Sequence, residues 1–368
     1  MKKPFDFLIV GSGLFGSVFA HQMHKNGKIC LVLDKRNQLG GNVRNETIEQ
    51  IITHQYGAHI FHTNNQEVWQ FINQFASFHN YKHQVKLIIN EKLYSFPINV
   101  NTLKQWFQIE DEQAAIQHFN AQKHQKRQYQ NLEEMAIGEM GMDIYTHFIK
   151  DYTEKQWNKD CANLPCSILS RIPIRLNSNE NYFEDQYQGI PVGGYNPIID
   201  QLLQGIETKI NTDFFENRTF WESQAEQIVY TGCIDQLFDH RFGALEYRSL
   251  RFENQVIQKP FFQPYSVVNY PGKQYDFTRI IEHKHFHPLD VKHTIITKEY
   301  PQDFHLKNEP YYPVVDQKNK ASYSQYAALA KESNYILGGR LAEFQYYDMH
   351  QVIASALSKS KQIIAQNQ

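Results

Sequence analysis

FDFLIVGSGLFG, residues 5–16, followed at 31–36 by LVLDKR, decides the fold of this chain. An apolar run, a glycine turn and a helical pattern lead to a second apolar run ending in an acid. The strand before the glycines, the helix after them and the acid about twenty residues on make this a dinucleotide-binding fingerprint rather than an ordinary glycine turn. Gly11 permits the tight turn, Gly13 lets the backbone approach a pyrophosphate, and Gly16 lets helix and strand pack closely. The phosphates would sit on unpaired N–H groups at the helix N-terminus. Asp34 would accept hydrogen bonds from a ribose.

Working outward, 5–10 and 28–33 read as strands, 14–26 and 197–204 as helices, and QIVYTG at 227–232 as a buried strand of the same sheet. Residues 84–96 alternate like a strand pair with a turn near Asn90. From about 101 to 150 the pattern is helical and polar, as an inserted lobe would be. Residues 245–300 alternate in strand fashion and read as a mostly antiparallel sheet. The end of the chain gives a strand, a turn at Gly338–Gly339 and a helix N-capped by Asp348, with Met349, Val352, Ile353, Ala356 and Leu357 on its apolar face. The first strand unit and the last helix therefore belong to one lobe with other material inserted. That is the plan of an α/β, FAD-binding Rossmann-like (glutathione-reductase type) domain; the other candidate on texture alone, a simple nicotinamide dehydrogenase, would usually keep its nucleotide domain more contiguous. The expected division is 1–78, 190–240 and 330–368 for FAD binding, 98–189 for the helical lobe with a mobile substrate loop at about 165–180, and 79–97 with 241–329 for the antiparallel sheet.

A chain of 368 residues can bury a large core in two or three lobes. Its net charge of −2 gives no broad electrostatic case for nucleic acid or an anionic membrane. MKKP leads straight into the first strand and no apolar run has signal or transmembrane length, so a cytoplasmic protein without membrane insertion is expected. Cys30, Cys161, Cys166 and Cys233 match no zinc or disulfide pattern and read as reduced thiols. His283, His285 and His287 alternate on an apparent strand and would share a face; with no acidic or cysteine partner evident, no metal is expected there.

GSGLFG, DKR, GGN, YGAHIFHT, YTEKQW, RIPIR, NYFEDQYQGIPVGGY, ALEYRSL, TRIIEHKHF, PYYPV and GGRLAEFQYYDMHQ together resemble the bacterial UDP-galactopyranose mutase family, from residue 5 to about 360. The resemblance implies an isomerase (intramolecular transferase) that interconverts UDP-galactopyranose and UDP-galactofuranose, with N5 of a reduced FAD as nucleophile at the anomeric carbon. Its product would be the galactofuranose of surface polysaccharide, such as lipopolysaccharide O-antigen in the cell envelope. It also implies an external reductant for the flavin and a homodimer. Arg171 and Arg279 match the two arginines that contact the diphosphate, and Arg171→Ala is expected to lower turnover by orders of magnitude with FAD still bound. Tyr311 and Tyr346 match tyrosines on the diphosphate, and Tyr182 one near the ribose or diphosphate. Phe148, Tyr152 and Trp157 match the uridine end, and Asn269 a polar contact to the nucleotide. The implied cofactor set is Gly11, Ser12, Gly13, Phe15, Gly16, Asp34, Lys35, Gly41, Asn42, His59, Ile60, Gly339, Arg340, Tyr347, Asp348, Met349 and Val352. His59 would shape the flavin site, with general-base work as a second role. The N-terminus of the last helix, helped by Arg340, would face the anionic flavin near N1. At His83-Gln84-Val85 the chain departs from the Asn-Ser-Pro of some members, and no substrate contact is assigned there.

Two other readings compete. An FAD oxidoreductase of the amine-oxidase type would need an apolar cage for an amine, whereas the arginines and tyrosines favour an anion. A non-catalytic binder resembling GDP-dissociation inhibitors would not need an intact FAD fingerprint.

Overall fold

The computed structural model describes residues 3–305 and 307–366, apart from the side chain of Arg171, on which one of the expected diphosphate contacts falls. The opening motif folds as its pattern dictates. The strand Phe5–Val10 enters a turn, the helix Leu14–Lys25 follows, and the strand Cys30–Leu33 returns beside the first. The sheet is wholly parallel, in the order Glu207–Lys209, Cys30–Leu33, Phe5–Val10, Ala225–Tyr230 and Tyr335–Leu337. Its central strands are buried on both faces, which is why they read as continuous apolar runs. Phe15, Val18, Phe19 and Met23 of the first helix pack against Ile353, Ala356 and Leu357 of the last, Met349–Gln366. Two ends of the chain thus build one core.

Gly16 is required by that packing: a Cβ there would stand 2.0 Å from the carbonyl oxygen of Gly11. Gly11 itself has a φ of +105°, in the left-handed region that favours glycine.

The second sheet runs Tyr312–Pro313, Tyr247–Ile257, Thr294–Asp303, Arg279–Glu282, Val267–Asn269, Val85–Ile89 and Lys92–Phe96. It is antiparallel except where Val267–Asn269 meets Val85–Ile89. Its register pairs Asn269 with Arg279 and Arg279 with Glu299. Residues directly opposite in antiparallel strands share a face, so these polar side chains form one row.

The helical lobe comprises Val100–Phe107, Glu112–Ala121 and Leu132–Ile144, each started by a side-chain cap from Asn99, Asp111 or Asn131. A π-helical turn, Tyr145–Lys150, leads into Asp151–Trp157. Such turns often occur at functional sites, and this one delivers Tyr152 to Arg279.

One expectation is corrected. His283–His285 forms a 3-10 turn, not a strand, because Arg279–Glu282 ends just before it. The histidines do not share a face. His283 Nε2 meets Thr297 Oγ1 at 2.6 Å, His285 Nε2 meets the Gln263 carbonyl at 3.0 Å, and His287 lies edge-on to His79. All four cysteines are free thiols. No helix among the described residues is long and apolar enough to cross a membrane.

The fold also buries several imidazoles. Burial is the main force holding His54, His59, His83, His283 and His287 below the ordinary histidine value, His59 and His287 to about 4 and His83 and His283 to about 3. Each ring binds its proton more weakly folded than unfolded. Their contribution is therefore intact above pH ~6.5 and is lost as pH falls toward 4, at up to ~1.4 kcal/mol per pH unit for each ring. The Tm followed by circular dichroism will fall steadily from pH 6.5 to 4.5; a flat profile would contradict this account.

Candidate active site

A cavity of about 390 Å³ runs along the C-terminal edge of the parallel sheet, where α/β sheets bind their ligands. Gly11, Gly13, Phe15, Gly16, Asp34, Lys35, Gly41, Asn42, His59, Gly339, Arg340, Met349 and Val352 line it, so the structure brings together most of the expected cofactor set. Gly13 has an ordinary φ of −63°, and a Cβ there would meet only Gly41 Cα, at 4.0 Å. That side chain would project into open space beside the first turn of the helix, the space a pyrophosphate would take.

Four of the expected cofactor residues lie elsewhere. Ser12 is fully buried behind the cavity wall. Its N–H and hydroxyl both donate to Asp34 Oδ2, at 2.9 and 2.5 Å, and its Oγ accepts from Gly40 N–H. It holds the acid rather than the ligand. Asp34 Oδ1 accepts from Arg36 N–H, so a ribose would share a carboxylate that is already braced. Ser12→Ala will raise the flavin Kd about tenfold through this lost charge-assisted bond; an unchanged Kd in a flavin titration would remove Ser12 from the site. Ile60 packs in the core of the helical lobe. Tyr347 contributes its carbonyl to Arg340, and Asp348 begins the last helix, its backbone N–H donating to Gln351 Oε1 at 2.8 Å. Neither lines the cavity.

Arg340 also departs from its expected part. Its Nε and Nη2 donate to the Tyr347 carbonyl and its Nη1 to that of Tyr311. The guanidinium thus ties the loop before the last helix to the sheet, packed against the rings of Tyr312 and Tyr346. Its charge remains near the cavity, while its donors serve carbonyls.

Sequence reasoning missed Arg36. It lines the cavity over the ring of Tyr56, its Nη2 donates to Asn42 Oδ1, and its Nη1 is buried with no hydrogen-bond partner among the described residues. Glu309 pairs with Lys35 at 2.9 Å and keeps Arg36 company at 3.4 Å. A buried unpaired guanidinium N–H beside a glycine cradle suits a diphosphate. The only sequence signal was the DKR at the strand end. The glycine cradle, the braced acid and this orphan donor fit a dinucleotide cofactor.

His59 carries its proton on Nδ1, because that atom contacts the Gly57 carbonyl at 2.7 Å and a carbonyl only accepts. Its N–H donates to His54 Nδ1 and its carbonyl accepts from Tyr195. A ring held neutral down to about pH 4 is a weak base and a well-fixed wall.

A second cluster faces this cavity across Tyr311, Tyr312 and Tyr346. Tyr311 lines the cavity, and Tyr312 stacks on Tyr346 with centroids 5.0 Å apart. Arg279 Nη2 donates to Tyr152 Oη at 2.5 Å, and its Nε lies 3.4 Å from Glu299 Oε1. Burial pushes the Glu299 carboxyl up, and the guanidinium works against that push; Glu299 in turn helps keep Arg279 charged. Asn269, beside Arg279 in register, has a buried Oδ1 without a partner among the described residues. Tyr182 packs on His83 and Phe183, and Trp157 ends the Tyr152 helix, partly buried. Phe148 is placed differently from expectation: it is 1% exposed, edge-on to Tyr94 and Trp106 in the lobe's core. An aromatic in the π turn fills that core before it can reach a ligand.

Between the two clusters, His62 Nδ1 meets Asp185 at 2.6 Å and the ring stacks on Phe183 at 3.6 Å. His62, Asp348 and His350 bring their ligand atoms within 4.8 Å of one another. Sequence reading did not single out His62 or His350, since His62 meets Asp185 and His350 only across more than a hundred residues.

The class follows from this arrangement: a Rossmann-type dinucleotide-binding protein whose cofactor cavity adjoins a polar cluster built on Arg279. Comparison with known proteins takes the assignment further. Residues 147–346 match the UDP-galactopyranose mutase family profile, and residues 9–75 match that of an NAD(P)-binding Rossmann-like domain. The UDP-galactopyranose mutase of Mycoplasma pneumoniae is 35% identical over 98% of this chain and 97% of its own. The dTDP-fucopyranose mutase of Escherichia coli is 32% identical over 98% of both chains. In fold, a crystal structure of reduced UDP-galactopyranose mutase superposes with a TM-score of 0.78 at 13% identity, covering 98% of this chain and 96% of that one. The chain belongs to the UDP-galactopyranose mutase family and is a flavin-dependent mutase.

Proposed function

We propose that this protein interconverts UDP-galactopyranose and UDP-galactofuranose, with FAD in its reduced form as the cofactor. The observation that carries the reading is Arg279: a charged guanidinium, braced by Tyr152 and Glu299, across a tyrosine wall from the flavin cavity. When bound and reduced, the flavin supplies the nucleophile for the anomeric carbon. The residues do the rest. Arg279, with Arg171, holds the diphosphate as the glycosyl–phosphate bond breaks and negative charge gathers on the leaving UDP. Tyr182, Tyr311 and Tyr346 donate to the same oxygens, and Asn269 offers its free amide to the nucleotide. Tyr152 stays a neutral phenol, since burial pushes it up to about 12. His59, Met349 and Val352 wall the flavin site.

Galactofuranose for surface polysaccharide, an external reductant, a homodimer and a cytoplasmic setting belong to the same proposal. The three-part domain division stated above does as well. A second reading, turnover of a dTDP-linked 6-deoxy sugar, is favoured by the Escherichia coli relative. Product analysis separates them. With dithionite, UDP-galactofuranose is expected to give UDP-galactopyranose, and the oxidised enzyme is expected to give none. Turnover of dTDP-fucofuranose alone would replace the first reading with the second, and equal rates in both flavin states would overturn both.

A further inference from the structure

Lys155 takes no part in the site described so far. It stands three residues after Tyr152 on the helix Asp151–Trp157, so the two side chains are neighbours on one face. Tyr152 Oη accepts a hydrogen bond from Arg279. Lys155 Nζ donates to the carbonyls of Tyr270, Gly272 and Tyr275, at 2.7, 3.0 and 3.0 Å. An ammonium has three N–H groups, and here all three go to one loop.

That loop joins the strands Val267–Asn269 and Arg279–Glu282. Tyr270 follows Asn269 directly, and its N–H donates at 2.8 Å to the carbonyl of Thr278, the residue before Arg279. Asn269 and Arg279 therefore stand at the two feet of the loop, while Tyr152 and Trp157 lie on the helix that Lys155 ties to it. Lys273 also links loop and helix, to Asp151 at 3.4 Å and Glu154 at 3.8 Å, but its side chain is 68% exposed. An ion pair that open to water contributes little, so the lysine tripod is the firmer joint.

We propose that Lys155 is a positioning residue for Asn269 and Arg279: its ammonium fixes the loop between them against the helix that carries Tyr152 and Trp157. This rests on the reading that Arg279 holds the diphosphate of a sugar nucleotide. The joint can also be undone. Lys155 lines a polar cavity of about 500 Å³. Facing it there are Asp151 and Glu154 of its own helix, Lys273, Tyr275 and Asp276 of the loop, and the paired Arg248 and Asp303 of the second sheet. Burial holds the amine below the ordinary lysine value, to about 8, with Asp151 and Asp276 working against that push. Below this pH the tripod is complete. Above it one N–H is lost, and a nitrogen lone pair faces a carbonyl oxygen, which only accepts. The loop then loosens, and Asn269 and Arg279 with it.

The test uses the flavin-loaded, dithionite-reduced enzyme and its Lys155→Met and Lys155→Arg variants from pH 7 to 9. UDP-galactose suits the titration, because its esterified diphosphate has no proton to lose in that range. The parent's affinity for it is expected to fall about fivefold from pH 7 to 9 as the amine discharges, and kcat/KM for UDP-galactofuranose will fall with it. Lys155→Met will bind about tenfold more weakly than the parent at pH 7 and show no further fall. Lys155→Arg, whose charge is permanent, will keep most of the affinity at pH 7 and also lose the fall. Flavin content will be the same in all three, since Lys155 does not line the cofactor cavity. If Lys155→Met does not fold, the parent and arginine profiles decide alone. No fall in the parent, a fall that persists in Lys155→Arg, or a Lys155→Met affinity within twofold of the parent at pH 7 would overturn the assignment. A parent that binds UDP-galactose with this profile but never rearranges it would instead overturn the functional reading.

Discussion

Arg279→Ala will lower kcat with UDP-galactofuranose by about a hundred- to a thousandfold, the usual cost of removing one fixed donor from a charge that grows in the transition state. The flavin will remain bound, because Arg279 belongs to the second sheet and does not line the cofactor cavity. Arg279→Lys will recover little. An ammonium cannot span Tyr152 and Glu299 while also facing a diphosphate, as a planar fork does. Removing the guanidinium leaves Glu299 at 2% exposure without its counter-charge, so the carboxyl will take up a proton and the variant's stability will fall as pH rises through that raised value. Steady-state kinetics beside the flavin absorbance checks both parts. Turnover within threefold of the parent would end the claim that this guanidinium holds the leaving group.

Gly13→Val and Gly16→Val will fail in different ways, although they are three residues apart. At Gly13 the backbone is ordinary and the nearest atom to a new Cβ is 4.0 Å away. The apo-protein should therefore fold with an unchanged Tm and lose flavin affinity by at least a hundredfold, because the side chain would occupy the pyrophosphate's place. At Gly16 a Cβ would stand 2.0 Å from a backbone oxygen, and backbone does not yield as a side-chain tip does. That variant should be insoluble or strongly destabilised with or without flavin. A Gly13→Val protein that purifies yellow would refute the cradle; an equally stable Gly16→Val protein would refute the packing argument.

The legible parts of this protein were those whose physics is local. A strand, a glycine turn, a helix and an acid follow one another within thirty residues, and each constrains its neighbour's backbone, so Gly11, Gly13, Gly16 and Asp34 could be placed without tertiary knowledge. The last helix declared its buried face through its periodicity, and Ile353, Ala356 and Leu357 are buried as that periodicity requires. Ser12 shows the limit of such reading: its place in the motif put it near the ligand, and only the geometry of Asp34 turned it into a brace. The apparent strand through His283 failed for a related reason. Alternation of polar residues cannot tell a strand from a tight turn once the ladder that would extend the strand has ended.

The sequence by itself determined the cofactor lobe, the order of its first elements and the chemical kind of ligand it takes, because those depend on backbone groups and side chains close along the chain. Only the tertiary structure decided the cleft. Asn269, Arg279 and Glu299 become one row through cross-strand register; Tyr152 reaches them across 127 positions, as His62 reaches Asp185 across 123; and Arg36 lines the cofactor cavity with a buried nitrogen that has no partner among the described residues. Whether a polar atom is satisfied depends on everything folded around it, and that cannot be read from its neighbours along the chain.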